Sequence, residues 1–133
     1  MTGVPRDLPD WTLDAVDAEK MKILALLLAD PNPLHFDPAV APRLGIAERP
    51  VTQGPSTMAM LANLVRAAFP DGKLVRLQTR LRGSVAAGQG VRAHGRVTAS
   101  EQTAEGERVW CELAMEAAGA TVLQGTAEVL VPR

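Results

Sequence analysis

Tyrosine is absent from this sequence of 133 residues and aromatic side chains make up only 3% of it. No row of rings is available on which the bases of a nucleic-acid strand could stack. An excess of one charge is missing too: fourteen Lys and Arg face fifteen Asp and Glu, a formal charge of −1. Nucleic-acid binding and polybasic membrane attachment both need the basic surplus that is lacking. Cysteine occurs once, at Cys111, which excludes an internal disulfide and a multi-cysteine zinc or iron–sulfur site and agrees with a reducing compartment. The longest apolar run, Ile23 to Ala29, falls far short of the roughly 20 residues that span a bilayer. Met1 to Asp10 carries Pro5, Pro9 and two acids where a secretory signal has a basic start and an apolar stretch. The expectation is a soluble cytoplasmic protein with no nucleic-acid or membrane partner.

What is present suffices for one domain. A hydrophobic content of 47% with 22% charged residues supports a core and argues against disorder. Residues 1–10 read as an irregular arm, followed by an extended piece at Trp11 to Leu13. Asp17 then offers an N-cap, Glu19 sits in the first turn, and Met21, Leu24, Leu27 and Leu28 recur at helical spacing. Pro31 and Pro33 stop this helix, because a proline pushes the residue before it out of the α region. Asp37-Pro38 reads as an N-cap with proline at the first helical position, opening a short helix that ends near Gly45. Gly54-Pro55 opens a longer helix to about Phe69, apolar nearly all round and therefore expected to be buried.

Beyond the Pro70-Asp71-Gly72 turn the period drops to two. Val75, Leu77, Thr79 and Leu81 alternate with polar residues, as do Val91, Ala93, Gly95 and Val97, and then Val109, Cys111, Leu113 and Met115; a fourth β-rich run covers 121–131. Turn signals separate the runs, a spacing that suits an antiparallel meander. Helices first and strands afterwards give an α+β class, a curved antiparallel sheet wrapped around a long buried helix. Residues 30–50 are left over as a long excursion, the kind of segment in which function concentrates.

That excursion holds Asp30, Asn32, His35 and Asp37, pinned by Pro31, Pro33 and Pro38. A carboxylate and an imidazole converging on one small volume can hold and activate a water. The spacing alone suits turn residues better, with Asp30 and Asn32 forming turns, His35 packing and Asp37 capping. A closed metal site wants about four ligands and the cluster offers too few. His94, among alternating arginines, reads as an exposed strand residue, Cys111 as buried packing, and Gly88-Gln89-Gly90 as a hairpin turn rather than a phosphate loop. Arg76, Arg80, Arg82, Arg92 and Arg96 read as cross-strand partners of Glu112, Glu116 and Glu128, with one or two of them candidates for a phosphate-bearing ligand.

The run Asp30-Pro31-Asn32-Pro33-Leu34-His35-Phe36-Asp37-Pro38, followed by Ala41, Arg49-Pro50-Val51 and Gly54 opening a buried helix, resembles the MaoC-like, (R)-specific enoyl-CoA hydratases of the hotdog superfamily. The likeness covers about Val16 to Pro132. It implies a single hotdog domain over 1–133 that adds water to a trans-2-enoyl thioester, or removes it from an (R)-3-hydroxyacyl thioester, on coenzyme A or acyl carrier protein. By match to the motif, Asp30 and His35 would be the acid/base pair, Asn32 would orient the loop, and Gly54, with Gln53 beside it, would bind the thioester oxygen. A helix N-terminus suits that task, since its free N–H groups and dipole favour negative charge. No metal or redox cofactor is implied, and a homodimer or higher homo-oligomer is, with an acyl-CoA tunnel near the subunit interface. Two positions depart from the pattern: Gln53 stands where the family usually has His, and Ala59 where many members have a small hydroxyl residue. These departures keep open a partner-dependent subunit of a hetero-oligomeric dehydratase; a hotdog thioesterase is the other alternative.

Overall fold

A computed structural model describes residues 6–133. The first five residues of the expected arm lie outside that range, but the rest of the arm is not loose. Leu8 N–H donates to Gly95 O at 2.9 Å, Val97 N–H to Arg6 O at 2.7 Å, and Leu8 is buried in the core. The arm leads into β1 (Trp11–Leu13) and then α1 (Ala18–Leu27), whose N-cap is Asp17 with its carboxylate on the Glu19 N–H. A 3₁₀ turn over Pro33–His35 and a four-residue α2 (Val40–Arg43) make up the excursion. α2 starts later than Asp37-Pro38 suggested: Asp37 caps the preceding turn, accepting from Ala39 N–H at 2.9 Å. α3 (Gly54–Ala68) follows, then β2 (Lys73–Leu81), β3 (Val91–Gln102), β4 (Glu107–Ala117) and β5 (Ala120–Val131).

The five strands form one antiparallel sheet in the order β1-β3-β4-β5-β2. This is not the simple meander expected. β3, β4 and β5 follow each other, but β2 pairs with β5 at the far edge, so the 82–90 connection crosses the molecule rather than closing a hairpin. Burial accounts for the crossing: Val85, Ala86 and Ala87 on this connection lie in the interior, and turning back at the surface would leave them in water. Gly88-Gln89-Gly90 is accordingly a turn at the end of a crossover, held by Gly88 N–H on Val16 O and Val16 N–H on Gln89 O.

Leu61, Leu64 and Val65 of α3 fill the curve of the sheet against Val109, Met115, Leu123 and Val129. The helix is not buried all round, however, because Ala59, Asn63, Arg66 and Ala67 on its other face are exposed. On β2 a bulge between Leu74 and Arg76 shifts the alternation, so that Leu74 joins Leu77 against the core and Val75 is left outside. β4 keeps strict alternation, and Cys111 lies on its inner side, where burial pushes the thiol pKa up to about 11.

α1 forms where its cap and spacing place it, but little of it is covered. Of its apolar residues only Met21 is buried, while Leu26 and Leu27 are 83% and 75% exposed. None of the described helices is long and apolar enough to cross a membrane.

Candidate acid–base site

The end of α1 delivers the first site residue. Ala29 N–H bonds to Leu26 O and Asp30 N–H to Ala25 O, the paired bonds that close a helix, with Ala29 in the left-handed region at φ 50°. An alanine held there costs about 1–2 kcal/mol. The closure ties the Asp30 backbone to the helix end, and the following prolines hold it. Asp30 Oδ1 accepts from Asn32 N–H at 3.1 Å, and Asn32 Oδ1 accepts from Leu34 N–H at 3.0 Å, which starts the 3₁₀ turn. Asn32 therefore shapes the loop, and its side-chain oxygen is committed to the backbone.

That turn places His35 inward, 9% exposed. Its Nδ1 lies 2.8 Å from Val51 O and its Nε2 lies 3.3 Å from Asp30 Oδ2. A carbonyl oxygen only accepts, so Nδ1 carries a proton, and in the neutral tautomer this selects, the lone pair is at Nε2. At that separation the two groups share a proton, and a water can touch both only from one side, off the line joining them. Val51 is itself fixed, donating to Leu34 O at 3.2 Å and bridging to Ala86. Asp30 and His35, paired in the sequence by the motif resemblance, are in contact, whereas Asp37 caps, as its spacing suggested.

Gly54 follows Val51 by three residues, a reach of at most about 11 Å. As the first residue of α3 it has an N–H with no acceptor within the helix. Its φ is not in the left-handed region, and a Cβ built there would meet Leu81 Cδ1 at an ordinary 3.5 Å. The fold therefore does not itself demand glycine at this position. Gln53, the N-cap, is fully buried; its Nε2 donates to Met21 O at 3.0 Å, tying α3 to α1, and its buried Oε1 has no partner among the described residues. Ala59 lies on the exposed side of α3, and no hydroxyl of Ser56 or Thr57 replaces it: Thr57 is buried and bonded to Thr52 and to Gln53 O. The Thr52–Thr57 pair was not anticipated; its trace in the sequence is two threonines flanking a Gly-Pro helix start.

A groove of about 590 Å³ runs along the outer side of α1, walled by Ala25, Leu26, Ala29, Pro31 and Phe36, and reaches Asp30 but neither His35 nor Gly54. No group of three potential ligands is arranged for a metal ion among the described residues. His94 is half-buried rather than exposed, with Nε2 3.3 Å from Glu116. Of the arginines, Arg92 pairs with Asp10 and Glu116 and Arg96 with Glu112, while Glu128 is taken by Arg108. The hydrogen bond and charge of Asp10 hold the Arg92 guanidinium above its usual pKa range. Arg82 bonds to Gln124, and Arg76 and Arg80 make no ion pair among the described residues.

Residues 4–116 match the model of the MaoC like domain. No curated protein sequence matches the chain. Among solved structures, an (R)-hydratase from A. caviae involved in PHA biosynthesis is similar over 98% of this chain and 98% of its own, with TM-score 0.84 and 24% identity. A chain of the ChsH1-ChsH2 complex from Mycobacterium tuberculosis aligns over 98% and 99% with TM-score 0.81 and 20% identity. R-hydratase PhaJ1 from Pseudomonas aeruginosa aligns over 99% and 83%, with TM-score 0.80 and 19% identity. At these identities the likeness is one of fold, and it bears out the hotdog architecture of an open antiparallel sheet around a central helix.

Proposed function

The chain belongs to the MaoC-like domain family, one of hydratases and dehydratases, and on that premise we propose that it is an (R)-specific hydratase/dehydratase interconverting trans-2-enoyl and (R)-3-hydroxyacyl thioesters. The observation that carries the reading is the Asp30–His35 contact of 3.3 Å, with His35 held in one tautomer by Val51 O. A water held against both Asp30 Oδ2 and His35 Nε2, to one side of the pair, gives one proton to Asp30 as its oxygen bonds to C3 of the substrate. The C2=C3 electron pair moves toward the thioester, whose oxygen gains charge and takes a hydrogen bond from Gly54 N–H. The acid/base pair then returns a proton to C2, so the net change is one water added; dehydration runs the same steps backward. This reading requires no metal or redox cofactor, and Gln53, tied to Met21 O, serves by holding the helix start rather than by touching the thioester.

The test is hydration of crotonyl-CoA and of a longer trans-2-enoyl-CoA, followed by loss of the enoyl absorbance. Asp30→Asn and His35→Ala are expected to lower activity about a hundredfold or more, the scale of removing an acid or base, with circular dichroism unchanged. A wild-type chain inert on every length rejects the reading for the isolated chain, and release of free coenzyme A in place of hydration identifies a thioesterase.

A second reading, a subunit that works beside another hotdog chain, draws on the departures at Gln53 and Ala59, and the exposed Ile23, Leu26 and Leu27 of α1 and the β2 edge, unpaired among the described residues, leave surface for a partner. A homodimer or a related hotdog partner would both cover these surfaces. Molecular mass in solution, read with the activity of the purified chain, separates the two: an active homo-oligomer excludes the second reading.

A further inference from the structure

We infer that Thr57, fed by Thr52, is a positioning residue that aims and strengthens the Gly54 N–H; the inference rests on the hydratase reading, which gives that N–H its task. The buried polar side chains among the described residues are His35, Thr52, Gln53 and Thr57, and all of them lie before or at the start of α3. Buried hydroxyls are costly unless bonded, and these two are bonded in a fixed direction. Thr57 Oγ1 lies 3.1 Å from Gln53 O, which can only accept, so the single Thr57 hydroxyl proton goes there. Thr52 Oγ1, 2.7 Å from Thr57 Oγ1, must then be the donor of that contact. The chain runs from Thr52 through Thr57 to the Gln53 carbonyl.

That carbonyl also accepts from Thr57 N–H at 3.0 Å, so two hydrogen bonds hold one oxygen. Gln53 C=O and Gly54 N–H belong to the same planar trans peptide and point in opposite directions. Holding the oxygen inward therefore turns the Gly54 N–H away from the helix body. Hydrogen bonds to the carbonyl also polarise the peptide, which makes its N–H a stronger donor. A helical threonine often bonds back to the carbonyl four residues earlier. Here that acceptor is the N-cap, and the hydroxyl is itself supplied by a residue whose own N–H is fixed on Val85 O at 2.8 Å. The segment Val51-Thr52-Gln53 thus sets both halves of the site, His35 through Val51 O and Gly54 through the hydroxyl chain.

The experiment compares Thr57→Val, Thr57→Ser and Thr52→Val by steady-state kinetics on a trans-2-enoyl-CoA and by the Gly54 amide cross-peak in an ¹⁵N–¹H correlation spectrum. Deleting an oxyanion donor outright costs about 10²–10³ in kcat, so misaiming one is expected to lower kcat about tenfold in Thr57→Val with KM little changed. Thr57→Ser restores kcat, and Thr52→Val, which keeps the final bond, loses less. The Gly54 cross-peak shifts in Thr57→Val and returns in Thr57→Ser. Wild-type kcat in Thr57→Val, or an equal loss in Thr57→Ser, overturns the inference. The spectrum decides independently of catalysis. If the wild type is inert, the hydratase reading fails by itself, and an unmoved Gly54 cross-peak in Thr57→Val, or in Thr52→Val should the first not fold, overturns the positioning role as well.

Discussion

The strands of the sheet bury apolar side chains alone, whereas the segment from α1 to the start of α3 buries polar ones beside Met21, Val40, Ala41 and Val51. Along β4, Val109, Cys111, Leu113 and Met115 point inward, and the outer face carries ion pairs such as Arg96–Glu112 at 3.0 Å, each exposed and worth at most about 1 kcal/mol. Between α1 and α3 the pattern is mixed. The buried polar residues His35, Thr52, Gln53 and Thr57 all lie there, and so do seven of the nine large hydrophobics found exposed. A sheet of this kind is explained by folding alone. The mixed segment is not, because buried hydroxyls stabilise little beyond offsetting their own desolvation and exposed leucines contribute nothing; such a segment points to chemistry on its polar side and to a covering surface on its apolar side.

The sharpest contrast comes from making one substitution in both regions. Leu123 on β5 is fully buried in the core, so Leu123→Ala is expected to cost about 2–5 kcal/mol of stability through lost transfer energy and a residual cavity. Urea unfolding monitored by circular dichroism reads this directly, and a loss below about 1 kcal/mol would mean that the core repacks.

Gly54→Ala gives a smaller effect of the opposite kind. The new methyl group meets Leu81 Cδ1 at 3.5 Å and requires no left-handed backbone, so stability should hold or rise slightly. Activity should fall about tenfold, since the methyl group occupies the approach to the N–H that the thioester oxygen needs. Full activity in Gly54→Ala would remove this position from the site and leave the mixed segment without its catalytic explanation.

How far this contrast could be read beforehand differs from residue to residue. Both long helices were legible because their starts are chemically marked, α1 by the Asp17 cap and α3 by Gly54-Pro55. Asp30 and His35 were legible as a pair through the Asp-x-Asn-Pro-x-His motif, whereas their spacing alone suited turn residues better. The β2–β5 pairing was not, since alternation tells which face a residue takes and says nothing of which strand lies alongside. The bulge at Val75 escaped for a related reason: one extra residue inverts the faces without changing the composition. Helical spacing located α1 but left open which of its leucines are covered, and here one turn of the helix, at Met21, is what the core accepts.

α1 also supplies the mildest test. Leu26 is 83% exposed, so Leu26→Ala should change the stability of the chain by no more than about 0.5 kcal/mol, against several for the same change at Leu123. If α1 is a covered surface in the assembled protein, the effect appears elsewhere: Leu26→Asp should weaken association, seen as a lower mass by sedimentation at the concentration where the wild type is associated. Should Leu26→Asp leave the mass unchanged, the apolar side of α1 faces something other than a subunit. The groove beside it, which leads to Asp30, then becomes the place to look for contact with the acyl chain, read as a change in chain-length preference between crotonyl-CoA and longer enoyl thioesters.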